Sequence, residues 1–179
     1  MIATMILTAT LVLIGYLVLV YIIFGQLPPS LSATHYWFKS RGFNWPFKLL
    51  MYTLPCLLCP AWFQIADSIN SYWTFLAFLS GVSLAGVGLY ANYLDEQKLG
   101  HIVLTTIAAT LSTLWACLVG LWIIPLLIYT FVLLLSTMLV IVNYDKNKTL
   151  TINLANDKVL LMFEVSAFFI ILVTLFINI

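Results

Sequence analysis

The chain has 179 residues, of which 64% are apolar and only 7% charged, and its formal net charge is +1. A soluble domain carries roughly 45–50% apolar and about 25% charged residues, so a soluble globular protein is excluded. The mean hydropathy of +1.12 makes lipid the required solvent, and the absence of a basic patch, acidic tail or low-complexity segment excludes nucleic acid as a partner.

Crossing the hydrocarbon takes about 20 mostly apolar residues as helix. Six stretches qualify, roughly 2–25, 46–66, 71–93, 101–119, 121–143 and 159–179. They predict an all-α polytopic membrane protein, a bundle of six transmembrane helices forming a single domain over residues 1–179.

The first stretch opens Met1-Ile-Ala-Thr4 with no cationic region, and no small-x-small cleavage site follows it, so it is expected to remain as a membrane helix. Behind it comes LPPSLSATHY, residues 27–36. Pro28 and Pro29 are expected to end the span, because proline lacks an amide donor and clashes with the preceding turn. Ser30 or Ser32 would then cap a short interfacial helix running toward Tyr36, Trp37 and Phe38.

The second span contains Cys56-Leu-Leu-Cys59 between Pro55 and Pro60. This tetrapeptide resembles the redox motif of the vitamin K epoxide reductase family, but the likeness stops there. Such enzymes relay electrons through a second cysteine pair, and Cys117 is the one cysteine left, so the segment reads as a kinked helix with two small thiols. Asp67, ahead of Tyr72, reads as a helix cap. Gly81, Ala85, Gly86 and Gly88 allow close helix approach and predict that the third span is central. Gly120 and Pro125 punctuate a tight hairpin between the fourth and fifth spans. The three hairpins share no motif and show no inverted repeat.

All seven cations, Lys39, Arg41, Lys48, Lys98, Lys146, Lys148 and Lys158, fall in or beside odd-numbered connections. The positive-inside rule makes that face cytoplasmic and puts both termini outside. Trp62, Tyr72, Trp73, Trp115 and Trp122 are expected at the outer headgroup level, and Trp37, Trp45, Tyr90, Tyr93 and Tyr144 at the inner one. Asn147-Lys-Thr149 matches a glycosylation acceptor, but on the cytoplasmic face it would go unused.

Glu164 lies about 9 Å past the start of the last span, a depth at which a carboxylate is costly and faces the bundle interior. His101 opens the fourth span on the same face, preceded by Asp95 and Glu96, and His35 sits in the first connection with Ser30, Ser32 and Thr34. Such a set supports three chemistries. His35, His101 and Glu164 are residue types that ligate zinc, a serine with histidine and carboxylate makes a nucleophilic triad, and the same groups can bind a polar ligand or carry protons. The residues bring no HxxxH, HExxH or GxSxG motif, and simple pairing of His101 with Glu164 accounts for them equally well.

With PPSLSATHY, GHIVLTTIAATL and FEVSAFF placed, the chain resembles a group of small bacterial and phage-borne membrane proteins with a Pro-Pro-Ser-x-Ser elbow after the first span, a histidine opening the fourth and a glutamate early in the last. The resemblance implies a role for Ser30, Ser32, His101 and Glu164 without supplying an activity, and His35 stands where that group has tyrosine. The leading expectation is a binding or transport protein with a polar pocket near the cytoplasmic face, holding a small polar ligand or lipid through Glu164, His101, Ser30, Ser32 and His35. The alternatives are an intramembrane metal- or serine-dependent lipid hydrolase and a non-catalytic subunit that assembles as an oligomer or with a membrane partner. No cofactor is implied by any motif.

Overall fold

A computed structural model of the chain describes residues 1–94, 97–144, 149, 150, 153 and 158–179. Asp95, Glu96, Lys146, Lys148 and the Asn147 acceptor lie outside the described residues. The described elements are helices α1 (Ile2–Phe24), α2 (Thr34–Lys39), α3 (Pro46–Ile69), α4 (Thr74–Leu89, preceded by a single 3-10 turn at Ser71–Trp73), α5 (Lys98–Val119), α6 (Ile123–Val142) and α7 (Val159–Ile177). All but α2 are long and apolar enough to cross a membrane, α4 together with its preceding turn. The protein is an all-α, six-helix membrane bundle, with α2 a short helix beside it.

Helix ends differ from the sequence expectation in instructive ways. α1 stops at Phe24, before the prolines, because Gly25 takes a left-handed conformation (φ 70°) and donates its amide to Tyr21 O. That geometry closes a helix, and glycine adopts it without steric cost. Asp67 is not a cap, since α3 continues to Ile69. Asn70 does that work, its Oδ1 accepting the Tyr72 amide at 3.1 Å. Pro125 sits in the first turn of α6, where a missing N–H leaves no intrahelical bond unmade.

The helix at the centre is α3 rather than the third span. α3 touches α1, α2, α4, α5 and α7, whereas α4 packs between α3 and α5. The small residues of α4 still act as expected. A β-carbon at Gly81 would overlap Cys59 Sγ, one at Gly88 would lie 3.0 Å from Met51 Cβ, and one at Gly86 would lie 2.9 Å from Leu104 Cδ1. In lipid, apolar burial does not drive helices together, so this close packing holds α4 to its neighbours.

Two tryptophans also depart from the headgroup expectation. Trp62 and Trp115 are 1% and 0% exposed and pack on each other inside the bundle with ring centroids 5.8 Å apart. Tyr72, Trp122, Trp45, Tyr90 and Tyr144 do lie exposed at helix ends.

The contact of Gly81 with Cys59 is testable. Gly81→Ala forces a side chain into occupied space and is expected to destabilise the bundle by about 1–3 kcal/mol. Adding Cys59→Ala removes the obstructing sulfur and should restore most of the loss in a thermal unfolding series in detergent; equal losses in the single and double variants would contradict the packing.

Candidate functional site

Between Gly25 and α2 the backbone is non-helical yet Ser30, Leu31, Ser32 and Ala33 are buried. In an apolar setting every such amide and carbonyl needs a protein partner. The Leu31 amide donates to Glu164 Oε2 of α7 at 2.5 Å. Pro29 O accepts the Leu161 amide from the first turn of α7 at 3.1 Å. Within the elbow, Ser30 Oγ accepts the Ala33 amide at 3.1 Å, and Thr34 Oγ1 donates to Leu31 O at 2.5 Å. Because Thr34 spends its hydrogen on that carbonyl, it accepts from the Tyr16 hydroxyl of α1. Ser30 therefore caps the turn that leads into α2, while Ser32 does not cap and is left for another partner.

That partner is His101. Its Nδ1 lies 2.9 Å from Tyr90 O and its Nε2 lies 2.9 Å from Ser32 Oγ. A carbonyl only accepts, so Nδ1 carries the proton; in the neutral ring Nε2 is then an acceptor, and Ser32 donates to it. Tyr90 is the C-cap of α4, where carbonyls lack intrahelical donors, so the histidine fills a need of the helix end while its own tautomer is fixed. The Tyr93 ring stacks on His101 at 4.8 Å between centroids. Tyr93 is also hydrogen-bonded to Ser30, and burial holds its phenol above the ordinary range.

His35 belongs to a separate group. Lys39 Nζ and His35 Nε2 both bond Asn92 Oδ1, at 3.3 and 2.9 Å. Lysine only donates, which identifies the shared atom as oxygen and makes His35 Nε2 a donor. His35 Nδ1 is then the bare nitrogen, and it is buried without a hydrogen-bond partner. Burial lowers the His35 pKa, the Asn92 bond raises it, and nearby Lys48 and Lys39 lower it further, with a net downward shift. The structure thus brings Ser30, Ser32, His101 and Glu164 around the elbow and leaves His35 beside Asn92. Among the described residues no three His, Cys, Asp or Glu side chains cluster to hold a metal, so the trio His35, His101 and Glu164 does not form a three-ligand site. The described cysteines are free, with Cys56 exposed on α3 and Cys59 against α4.

A narrow cavity of about 80 Å³ opens among α3, α4, α5 and α7. Ser32, Glu164 and Thr105 stand at its elbow end, and Trp62, Ser80 and Ser112 at its deep end, with Leu84, Ala108, Phe168 and Ile171 among the residues between. Glu164 is half-buried and is one of the residues that line it. The Trp62 indole N–H has no partner. Sequence reasoning missed Thr105, Ser112 and Trp62 as site residues. For Thr105 and Ser112 the signal was present in α5, where they recur at helical spacing with His101, Ala108, Trp115 and Val119 and put two hydroxyls on one face.

The fold and this site define an integral membrane protein of six helices with a buried Ser–His pair and a carboxylate beside an internal cavity. Compared with known proteins, the chain matches no family model, no curated protein and no solved structure.

The His35 environment carries a pH signature. Its folded-state pKa is below the ordinary value of about 6.5, so as pH falls through that value the unfolded chain takes up the proton first. Stability is expected to decline from about pH 6.5 down to the lowered pKa, by at most about 1.4 kcal/mol per pH unit from this one group. His35→Gln keeps a donor for Asn92 and should flatten that part of the pH dependence, read as unfolding midpoints between pH 7 and 5; an unchanged slope would rule His35 out as its source.

Proposed function

We propose that the protein binds a single-chain amphiphile in the cavity between α3, α4, α5 and α7, its hydroxyl-bearing head at Glu164 and Ser32 and its tail between the apolar side chains toward Trp62. The observation that carries this reading is Glu164 itself: one carboxylate oxygen is committed to the Leu31 amide, and the residue still fronts a cavity whose walls are almost wholly apolar. A carboxyl group at the mouth of an apolar slot suits a ligand with a polar, hydrogen-bonding head at one end and a chain at the other. From Thr105 to Ser112 the slot follows seven residues of α5, about 10 Å of helix rise, and with a volume of about 80 Å³ it must widen by movement of its apolar side chains to admit a chain.

Binding fits better than passage across the membrane. The cavity lining ends at Trp62 and Ser112, and the Trp62–Trp115 pair fills the bundle at that level. The elbow end is proposed as the cytoplasmic face, with both termini opposite; the support is that Lys39, Arg41, Lys48, Lys98 and Lys158 all lie at the ends of helices that meet there. The residues to which the proposed resemblance draws attention, Ser30, Ser32, His101 and Glu164, are also the ones gathered at the elbow.

A medium-chain 1-monoacylglycerol is the probe of choice. In nanodiscs it should stabilise the protein against thermal unfolding, by about 2.7 kcal/mol at a hundredfold excess over its Kd. Glu164→Gln retains an oxygen for the Leu31 amide but replaces the second carboxyl oxygen with an amide NH₂, and should remove most of the stabilisation while the free protein stays folded. Absence of stabilisation across hydroxyl-headed single-chain lipids would overturn the reading.

A further inference from the structure

We propose that Ser32 is a nucleophile and His101 its general base, making the cavity the acyl site of a hydrolase for single-chain carboxylic esters. This rests on the amphiphile-binding reading and adds a reaction to it. The Ser32 hydroxyl donates to His101 Nε2 at 2.9 Å, the direction of proton transfer that activates a serine. The base is held by a third group, as a catalytic histidine requires, here the Tyr90 carbonyl on Nδ1 in place of a carboxylate. The Tyr93 ring stacked on the imidazole restricts its rotation further.

Other hydroxyls along the cavity are spent differently. Ser80 donates to Leu76 O at 2.7 Å, Ser112 to Ala109 O at 3.1 Å and Thr105 to His101 O at 2.8 Å. Each sits on a helix and gives its hydrogen to a carbonyl one turn back, a habit of Ser and Thr in helices. Ser32 lies on non-helical backbone and its hydrogen points to a base.

In the reaction, Ser32 Oγ attacks the ester carbonyl carbon while its proton passes to His101 Nε2. The tetrahedral species collapses with cleavage of the carbon–oxygen bond to the alcohol, which leaves with the proton from Nε2, and an acyl-Ser32 ester remains. Water from the aqueous face at the elbow then attacks that carbonyl, giving its proton to Nε2. Collapse breaks the acyl–Oγ bond, Oγ regains the proton, and the carboxylic acid is released. The amides flanking Ser32 are already in use, Leu31 by Glu164 and Ala33 by Ser30. Charge on the tetrahedral oxygen is met by the Leu31 amide when Glu164 yields that bond to it.

The test uses the full-length protein in nanodiscs, an alkyl fluorophosphonate probe and intact-mass mapping, beside fatty-acid release from the medium-chain 1-monoacylglycerol. Wild type should gain one adduct, mapped to Ser32, and should release fatty acid. Ser32→Ala should abolish both, and His101→Ala should slow both by about 100-fold or more. Ser32→Cys keeps the shape of the elbow and should move labelling at position 32 to a thiol-directed probe, which separates lost chemistry from lost folding. A wild-type protein that binds the monoacylglycerol but forms no adduct and releases no acid would overturn the catalytic proposal and leave the binding reading standing. Adduct formation at Ser32 without ligand stabilisation would do the reverse. An adduct of undiminished rate in Ser32→Ala would also overturn the assignment.

Discussion

The hydrogen bond from the Leu31 amide to Glu164 is the constraint on which the rest of the elbow depends. A chain that leaves a membrane helix and folds back among its neighbours carries bare amides and carbonyls into a buried setting where each needs a protein partner. Residues 26–33 do this, and the solution is visible atom by atom. Pro28 and Pro29 contribute no N–H at all, so two donors that would need partners are absent. Of the amides that remain, Leu31 donates to Glu164 and Ala33 to Ser30, while the carbonyl of Pro29 is met by the first turn of α7. The prolines therefore do less to stop α1, which Gly25 has already closed, than to reduce the number of polar groups the elbow must satisfy.

Holding the elbow in place fixes what stands next to it. Ser32 is delivered beneath the first turn of α5, where His101 bridges it to the end of α4 through the Tyr90 carbonyl. Three chain segments distant in sequence, the elbow, the α4–α5 connection and the start of α7, are thus tied by bonds to backbone groups and by the side-chain bond of Ser32 with His101. Glu164, Ser30 and His101 each relieve a backbone need, Ser32 bonds His101 alone, and Ser32 and Glu164 line the same cavity.

Much of this was legible in the sequence, for a physical reason: a helix rising 1.5 Å per residue needs a fixed length to cross hydrocarbon, so apolar stretches report spans directly. The scarcity of polar residues did the same for the site, since Glu164, His101 and Ser32 stand out in so apolar a chain. Their partners were not legible. Leu31 and Tyr90 take part through backbone atoms, which have the same chemistry in every residue, so no reading of side-chain types would choose them. His35 was grouped with His101 because both lie at one end of the bundle, but the amide of Asn92, in the α4–α5 connection, captures it. Trp62 and Trp115 look like headgroup anchors from their place near span ends, but they are buried because they pack on each other between α3 and α5. Asp67 failed as a cap because α3 runs one further half-turn before Asn70 takes that role.

Glu164 joins the two halves of the site in a way that couples them energetically. One of its oxygens secures the segment that carries Ser32, while the residue also fronts the cavity. Any occupant that bonds this carboxylate acts on the anchor of the elbow, strengthening or competing with the Leu31 bond. Linkage makes the effect reciprocal: whatever the occupant does to the order of the elbow, the order of the elbow does to the occupant's affinity. A carboxyl whose second oxygen was packed against apolar groups would leave that oxygen unsatisfied at a cost, whereas a cavity beside it leaves room for a second partner. Its placement beside a cavity, next to the elbow that carries a serine bonded to a histidine, is what the proposed site is built on.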